Sequence, residues 1–186
     1  MTMGDTMTTE QFGKRIDDHT VRFERVLPGP VEKIWAYLTD GEKRGEWFAS
    51  GAIPPKVGDE FELRFKHRDL SPNKAAPPDK FREMDANGFM SKERLLALEP
   101  MRRLVHTFGE ERPPASEVEF LLTPEGGKVR LTLTHRKIPD RAYAVNISGG
   151  WHAHLAILQY KAEGQVPPPF WDVWRKTEHT YEQRYE

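Results

Sequence analysis

No cysteine occurs among the 186 residues, which excludes disulfide scaffolds, thiol nucleophiles, iron–sulfur sites and cysteine-ligated zinc. Charge of one sign is not in excess either. The 28 Lys and Arg face 29 Asp and Glu, a formal net charge of −1, so no general attraction to nucleic acid or an anionic membrane is expected. Long apolar runs are missing: nothing approaches the roughly eighteen residues of a membrane span, and Met1 to Glu10 has no basic stretch followed by an apolar one. The expectation is a cytoplasmic protein with neither nucleic acid nor membrane as partner. Low complexity is absent too, with only 14 Gly and 15 Pro. Present instead are five Trp and ten Phe, anchors for the core of one domain, with or without a tail.

Met1 to His19 is polar and weakly patterned and reads as a mobile arm. From Thr20 to Val26 the residues alternate, Val21 and Phe23 on one face and Arg22 and Glu24 on the other, as a half-buried strand requires. Pro28-Gly29-Pro30 then punctuates. Val31, Ile34, Trp35 and Leu38 follow at helical spacing, and Thr39 to Phe48 reads as a second short helix. Phe61, Leu63 and Phe65 alternate along the next strand. The stretch from His67 to Gly88 holds three Pro and few apolar anchors, and a loop of that length in a compact domain reads as a lid. Ser91 to Glu99, Arg103 to Phe108, Glu117 to Leu122 and Lys128 to Arg136 are strands with short connections, which favour antiparallel hairpins.

Asp140 caps a helix running to about Glu163, with Ala144, Ile147, Trp151, Leu155, Leu158 and Ala162 as its apolar stripe. Gly149 and Gly150 interrupt it at a cost of about 1 kcal/mol each relative to Ala, which points to close packing or a bend. After Pro167-Pro168-Pro169 the aromatics Phe170, Trp171, Trp174 and Tyr181 recur at near-helical spacing. This tail, 165–186, is expected to cover either the domain or a partner subunit in a homodimer. The order of elements specifies an α+β domain over 20–164: a curved antiparallel sheet of about six strands, two short helices after the first strand, and a long C-terminal helix across the sheet.

The stretches VEKIWAYLTDGEKRGEWF, VGDEF, ALEPMRRLVHTFGE, SEVEFLLTPEGGKVRLTLTHR and GGWHAHLAIL, in that order, resemble the Hsp90-ATPase-activator-homologue-like (AHSA1-like) branch of the START/Bet v 1 (SRPBCC) superfamily. The resemblance covers Thr20 to the end and includes a bacterial subgroup's HRDLSP loop and PPPFW tail. It implies a helix-grip fold with an apolar cavity between sheet and long helix. The superfamily includes lipid carriers, metabolite binders, aromatic-ring cyclases and co-chaperone domains, so activity does not follow from fold. In the eukaryotic co-chaperone a separate amino-terminal domain precedes this one. Here about twenty polar residues precede the first strand, and Hsp90 activation is not expected to carry over.

Alternation puts His106 in the register of Leu104 and Phe108, and His135 in that of Val129, Leu131 and Leu133. On the long helix, at about 100° per residue, His154 lies roughly 60° from Trp151 and 40° from Leu158, bordering the buried stripe, with His152 on its flank. Three imidazoles can thus reach one cavity, where they would orient a ligand carbonyl, phenol or carboxylate, or move a proton near neutral pH. Equally ordinary is a set of hydrogen-bonded histidines at a sheet edge or helix flank. The candidate ligand-binding set is Trp35, Phe61, Phe65, His106, Phe108, Leu133, His135, Trp151 and His154. No HExxH or comparable spacing calls for a metal, no glycine-rich loop cradles a phosphate, and no G-x-S-x-G marks a nucleophile. No cofactor is therefore expected. The functional expectation is a protein that binds a small apolar or aromatic molecule in its cavity. The alternatives are a cyclase, hydrolase or isomerase using the histidines as acid or base, and a stress-related or chaperone-interaction module.

Overall fold

The computed structural model describes residues 11–109 and 115–186. Among these residues seven strands and five helices follow in chain order: β1 Lys14–Asp17, β2 Thr20–Pro28, α1 Val31–Thr39, α2 Gly41–Gly45, β3 Glu60–Phe65, α3 Arg82–Asn87, β4 Phe89–Glu99, β5 Arg103–Phe108, β6 Ser116–Glu125, β7 Lys128–Arg136, α4 Arg141–Ala162 and α5 Phe170–Arg184. All strand pairs are antiparallel, in the order β1-β2-β7-β6-β5-β4-β3. Helices α4 and α5 cover one face. This is the expected α+β helix-grip arrangement, with seven strands where about six were expected.

The additional strand lies within the stretch read as an arm. KRID has no apolar alternation to announce it, and it stands at the sheet edge, pairing Lys14 with Arg22 and Arg15 with Val21. Two long-range bonds hold it: the Gly13 amide donates to the Tyr181 hydroxyl (2.8 Å), and His19 Nδ1–H donates to the Ile138 carbonyl (2.7 Å). Met1 to Glu10 of the expected arm lies outside the described residues.

Alternation decides which side chains face the helices. Val21, Phe23 and Leu27 of β2, Phe61, Leu63 and Phe65 of β3, and Val129, Leu131 and Leu133 of β7 are all buried on that face. The turn after α2 fills one end of it. The Asp40 carboxylate caps α2 by accepting from the Glu42 and Lys43 amides. The buried Arg44 guanidinium then straps the turn, donating to the carbonyls of Ala49 (2.9 Å) and Gly51. Gly51 has φ of +113°, and a Cβ there would lie 2.1 Å from the Glu62 carbonyl oxygen, so only glycine closes this turn. Its product is the placement of Trp47 and Phe48, both buried, beneath α4.

The segment between β3 and β4 is more ordered than a loop. It forms 3-10 turns at His67–Asp69 and Asp79–Phe81 and then α3. Helix α5 holds it. The Trp171 indole N–H donates to the buried Asp85 carboxylate (2.7 Å), Ser71 Oγ donates to the Pro167 carbonyl (2.7 Å), and Lys80 pairs with Glu178 (2.9 Å). The aromatic tail therefore packs on its own domain, burying Phe170, Trp171, Trp174 and Tyr181.

Candidate functional site

A pocket of about 720 Å³ opens between α4, α5, the 67–88 segment and the β3–β6 part of the sheet. The sheet contributes Phe65, Phe89, Ser91, Phe108 and Ser116, with Phe48 closing the inner end. Helix α4 contributes Tyr143, Asn146, Ile147, Gly150, Trp151 and His154. Phe170, Trp171 and Trp174 of α5, with His67, Phe81 and Met84 of the segment, make the remaining wall. Among the described residues no Asp, Glu, Lys or Arg lines the pocket.

Four of the nine candidates come together here: Phe65, Phe108, Trp151 and His154. His135 stands one bond behind the wall. The Trp151 indole N–H donates to His135 Nδ1 (2.9 Å), so the imidazole proton is on Nε2, which donates to Ser116 Oγ (2.7 Å). Ser116 Oγ–H in turn donates to the Phe108 carbonyl (2.8 Å). Every proton in this chain is used, and both Trp151 and Ser116 present their outer surfaces to the pocket.

Trp35, Phe61, His106 and Leu133 of the candidate set do not line this pocket. All four are buried, but they line the filled half of the same face. The His106 ring is wedged against Phe61 (5.3 Å between centroids) and Phe120 (6.0 Å), and its Nδ1–H is taken by the Thr107 carbonyl. Trp47 is edge-on to Phe120 at 6.3 Å and packs beside them in the filled core. The three imidazoles thus share a face without sharing a cavity. His152 points elsewhere, with its Nδ1 on the Tyr181 hydroxyl at 2.9 Å.

His67 lines the pocket although it stands outside the candidate set. The signal was present, since it continues the i, i+2 register of Phe61, Leu63 and Phe65 one step beyond the strand. It is buried, 5.1 Å from the His154 ring and 4.3 Å from that of Phe170. His154 donates Nδ1–H to the Trp47 carbonyl (2.8 Å).

Burial governs the chemistry these rings can do. Desolvation pulls His67 and His106 down to about 4 and His135 and His152 to about 3, and it holds His154 well below the ordinary value, with the neighbouring His67 adding to the effect. All are neutral at neutral pH and are weak bases, suited to orienting a ligand rather than to moving its protons. Glu93, fully buried behind Ser91, accepts from Thr107 Oγ1 (2.7 Å) and the Gly109 amide (2.9 Å), an arrangement that holds the end of β5. Among the described residues no group of three or more His, Cys, Asp or Glu could hold a metal ion, and no helix is long and apolar enough to cross a membrane.

Comparison with known proteins agrees with this architecture. No curated protein matches the chain. A Bordetella parapertussis protein of known solution structure is 44% identical, over 92% of this chain and 89% of that one, with a TM-score of 0.79. CalU16 from Micromonospora echinospora shares the fold at 21% identity, covering 94% and 95% of the two chains with a TM-score of 0.66. A conserved Enterococcus faecalis protein of unknown function does so at 16% identity, 92% and 89% coverage and a TM-score of 0.66. The family model for Activator of Hsp90 ATPase homolog 1-like proteins matches residues 28–162, from the end of β2 to the end of α4. With most of its length accounted for by that model, the chain belongs to the Activator of Hsp90 ATPase homolog 1-like family.

Proposed function

We propose that this protein binds a small apolar or aromatic molecule in the pocket beneath α4 and α5. The observation that carries the reading is a space of about 720 Å³ walled by aromatic rings and, among the described residues, lined by no charged side chain. Small-molecule sites are usually clefts of about 300–1,000 Å³, mostly apolar, with a few placed polar groups. Ser91, Ser116, Asn146, His67 and His154 are those groups here. Burying about 300 Å² of apolar ligand surface at roughly 25 cal/mol per Å² gives about 7 kcal/mol before ordering costs, so burial supplies most of the drive and hydrogen bonds to the placed polar groups must add to it for micromolar affinity.

A native mass spectrum of the freshly purified protein, beside its denatured mass and a solvent extract, tests the reading. A discrete adduct that is lost on denaturation and recovered as an apolar or aromatic compound is expected, or, from a clean apo mass, saturable uptake of an aromatic probe. An apo mass together with no uptake of any such probe would overturn it.

A further inference from the structure

His67 and His154 stand side by side on the pocket wall, and their hydrogen-bonding differs in a way that fixes what each can offer. His154 spends its Nδ1 proton on the Trp47 carbonyl, so in the neutral ring Nε2 carries a lone pair. His67 Nδ1 is buried with no hydrogen-bond partner. An orphaned buried N–H is rarer and costlier than an unfilled lone pair, so the neutral His67 ring keeps its proton on Nε2. The pair therefore supplies one acceptor and one N–H donor from rings 5.1 Å apart. Phe170 covers both, 4.3 Å from His67 and 4.7 Å from His154. Among the described residues no cation lines the pocket to neutralise an anionic ligand.

We infer that the pocket is built for a neutral aromatic molecule bearing a hydroxyl group, whose O–H donates to His154 Nε2 while its oxygen accepts from His67 Nε2–H. This rests on the binding function proposed above and adds the chemical class of the ligand. An ether can use only the His67 donor, and a hydrocarbon neither. A carboxylate would bring a charge into an aromatic enclosure whose described lining holds neutral polar groups and no cation to meet it.

Three probes of one shape separate these cases by isothermal titration calorimetry on the full chain: 2-naphthol, 2-methoxynaphthalene and 2-naphthoate. The alcohol is expected to bind about three- to tenfold more tightly than the ether, the span of one hydrogen bond, with the carboxylate weakest. His67→Phe removes an unpartnered polar atom and keeps a ring of similar breadth, so it folds; in it the preference for the alcohol over the ether should be lost. His154→Phe serves as the second variant, with the same expected loss. Equal affinities for alcohol and ether in the unaltered protein, tighter binding of the carboxylate, or a preference undiminished in His67→Phe would overturn the inference and leave the pocket's binding function standing. Failure of all three probes to bind would remove both.

Discussion

The indole N–H of Trp151 donates to Nδ1 of His135 at 2.9 Å, tying the middle of α4 to the end of β7. Because His135 passes its own proton on to Ser116, one substitution changes the wall and what supports it. Trp151→Phe leaves a buried imidazole nitrogen without its donor. Chemical denaturation should show a loss of about 1–3 kcal/mol. Stability within a few tenths of the unaltered protein would mean that the bond contributes nothing net.

Gly149 and Gly150 are neighbours in α4 with opposite surroundings. A Cβ on Gly149 would lie 3.2 Å from Trp174 Nε1, whereas one on Gly150 meets nothing within 4 Å. Trp174 has little room to yield, with Phe81 edge-on at 5.3 Å and Trp171 at 6.0 Å. Gly150→Ala should therefore stabilise the protein by up to about 1 kcal/mol through helix propensity, and Gly149→Ala should not. Thermal melts in the reverse order would contradict this packing of α5 on α4.

Acid should unfold this protein early. His67, His106, His135, His152 and His154 all titrate below the ordinary 6.5 when folded. Below that value the unfolded chain binds more protons than the folded one, so stability is full above it and falls as pH drops toward the folded values. Between about pH 7 and about pH 5.5 each such histidine removes roughly 1 kcal/mol, several in all. Urea unfolding at the two pH values measures the difference, and His67→Phe should reduce it. A stability unchanged across that interval would contradict the burial of these rings.

Asp85 is the anchor of the 67–88 segment on α5. Its carboxylate accepts from the Trp171 indole and lies 3.9 Å from Arg68 Nε. Asp85→Ala leaves a buried N–H unpaired and loosens the segment. Hydrogen exchange across Leu70 to Asp85 should accelerate, with about 1–3 kcal/mol lost in local or global stability. Unchanged protection would show that aromatic stacking alone, such as Phe81 on Trp171 at 5.2 Å, holds the segment closed.

Strands with one wet face were legible residue by residue. The alternation of Lys128–Arg136 marks its extent and the inward direction of His135, whereas Arg103–Phe108 is buried on both faces at its centre and only the two-residue period places His106 with Leu104 and Phe108. Where the pocket begins and ends along that face was not. It depends on Trp47 and Phe48, carried in by a turn that Arg44 straps, and on α5, whose aromatics have helical spacing but no local clue to what they cover. The polar edge strand at Lys14–Asp17 has no periodic signal, since its pairing with β2 and its bond to Tyr181 are long-range.

The central claim is that the space between α4, α5 and the 67–88 segment takes an aromatic ligand, and the five tryptophans divide so as to test it. Trp151, Trp171 and Trp174 line the pocket, while Trp35 and Trp47 are buried away from it. A 1H–15N NMR titration of the full chain with 2-naphthol should shift the indole resonances of the first three progressively and saturably, leaving Trp35 nearly unmoved and Trp47 changed least among the rings near α4. Uniformly small shifts in all five, or the largest shift at Trp35, would place binding elsewhere and contradict the account.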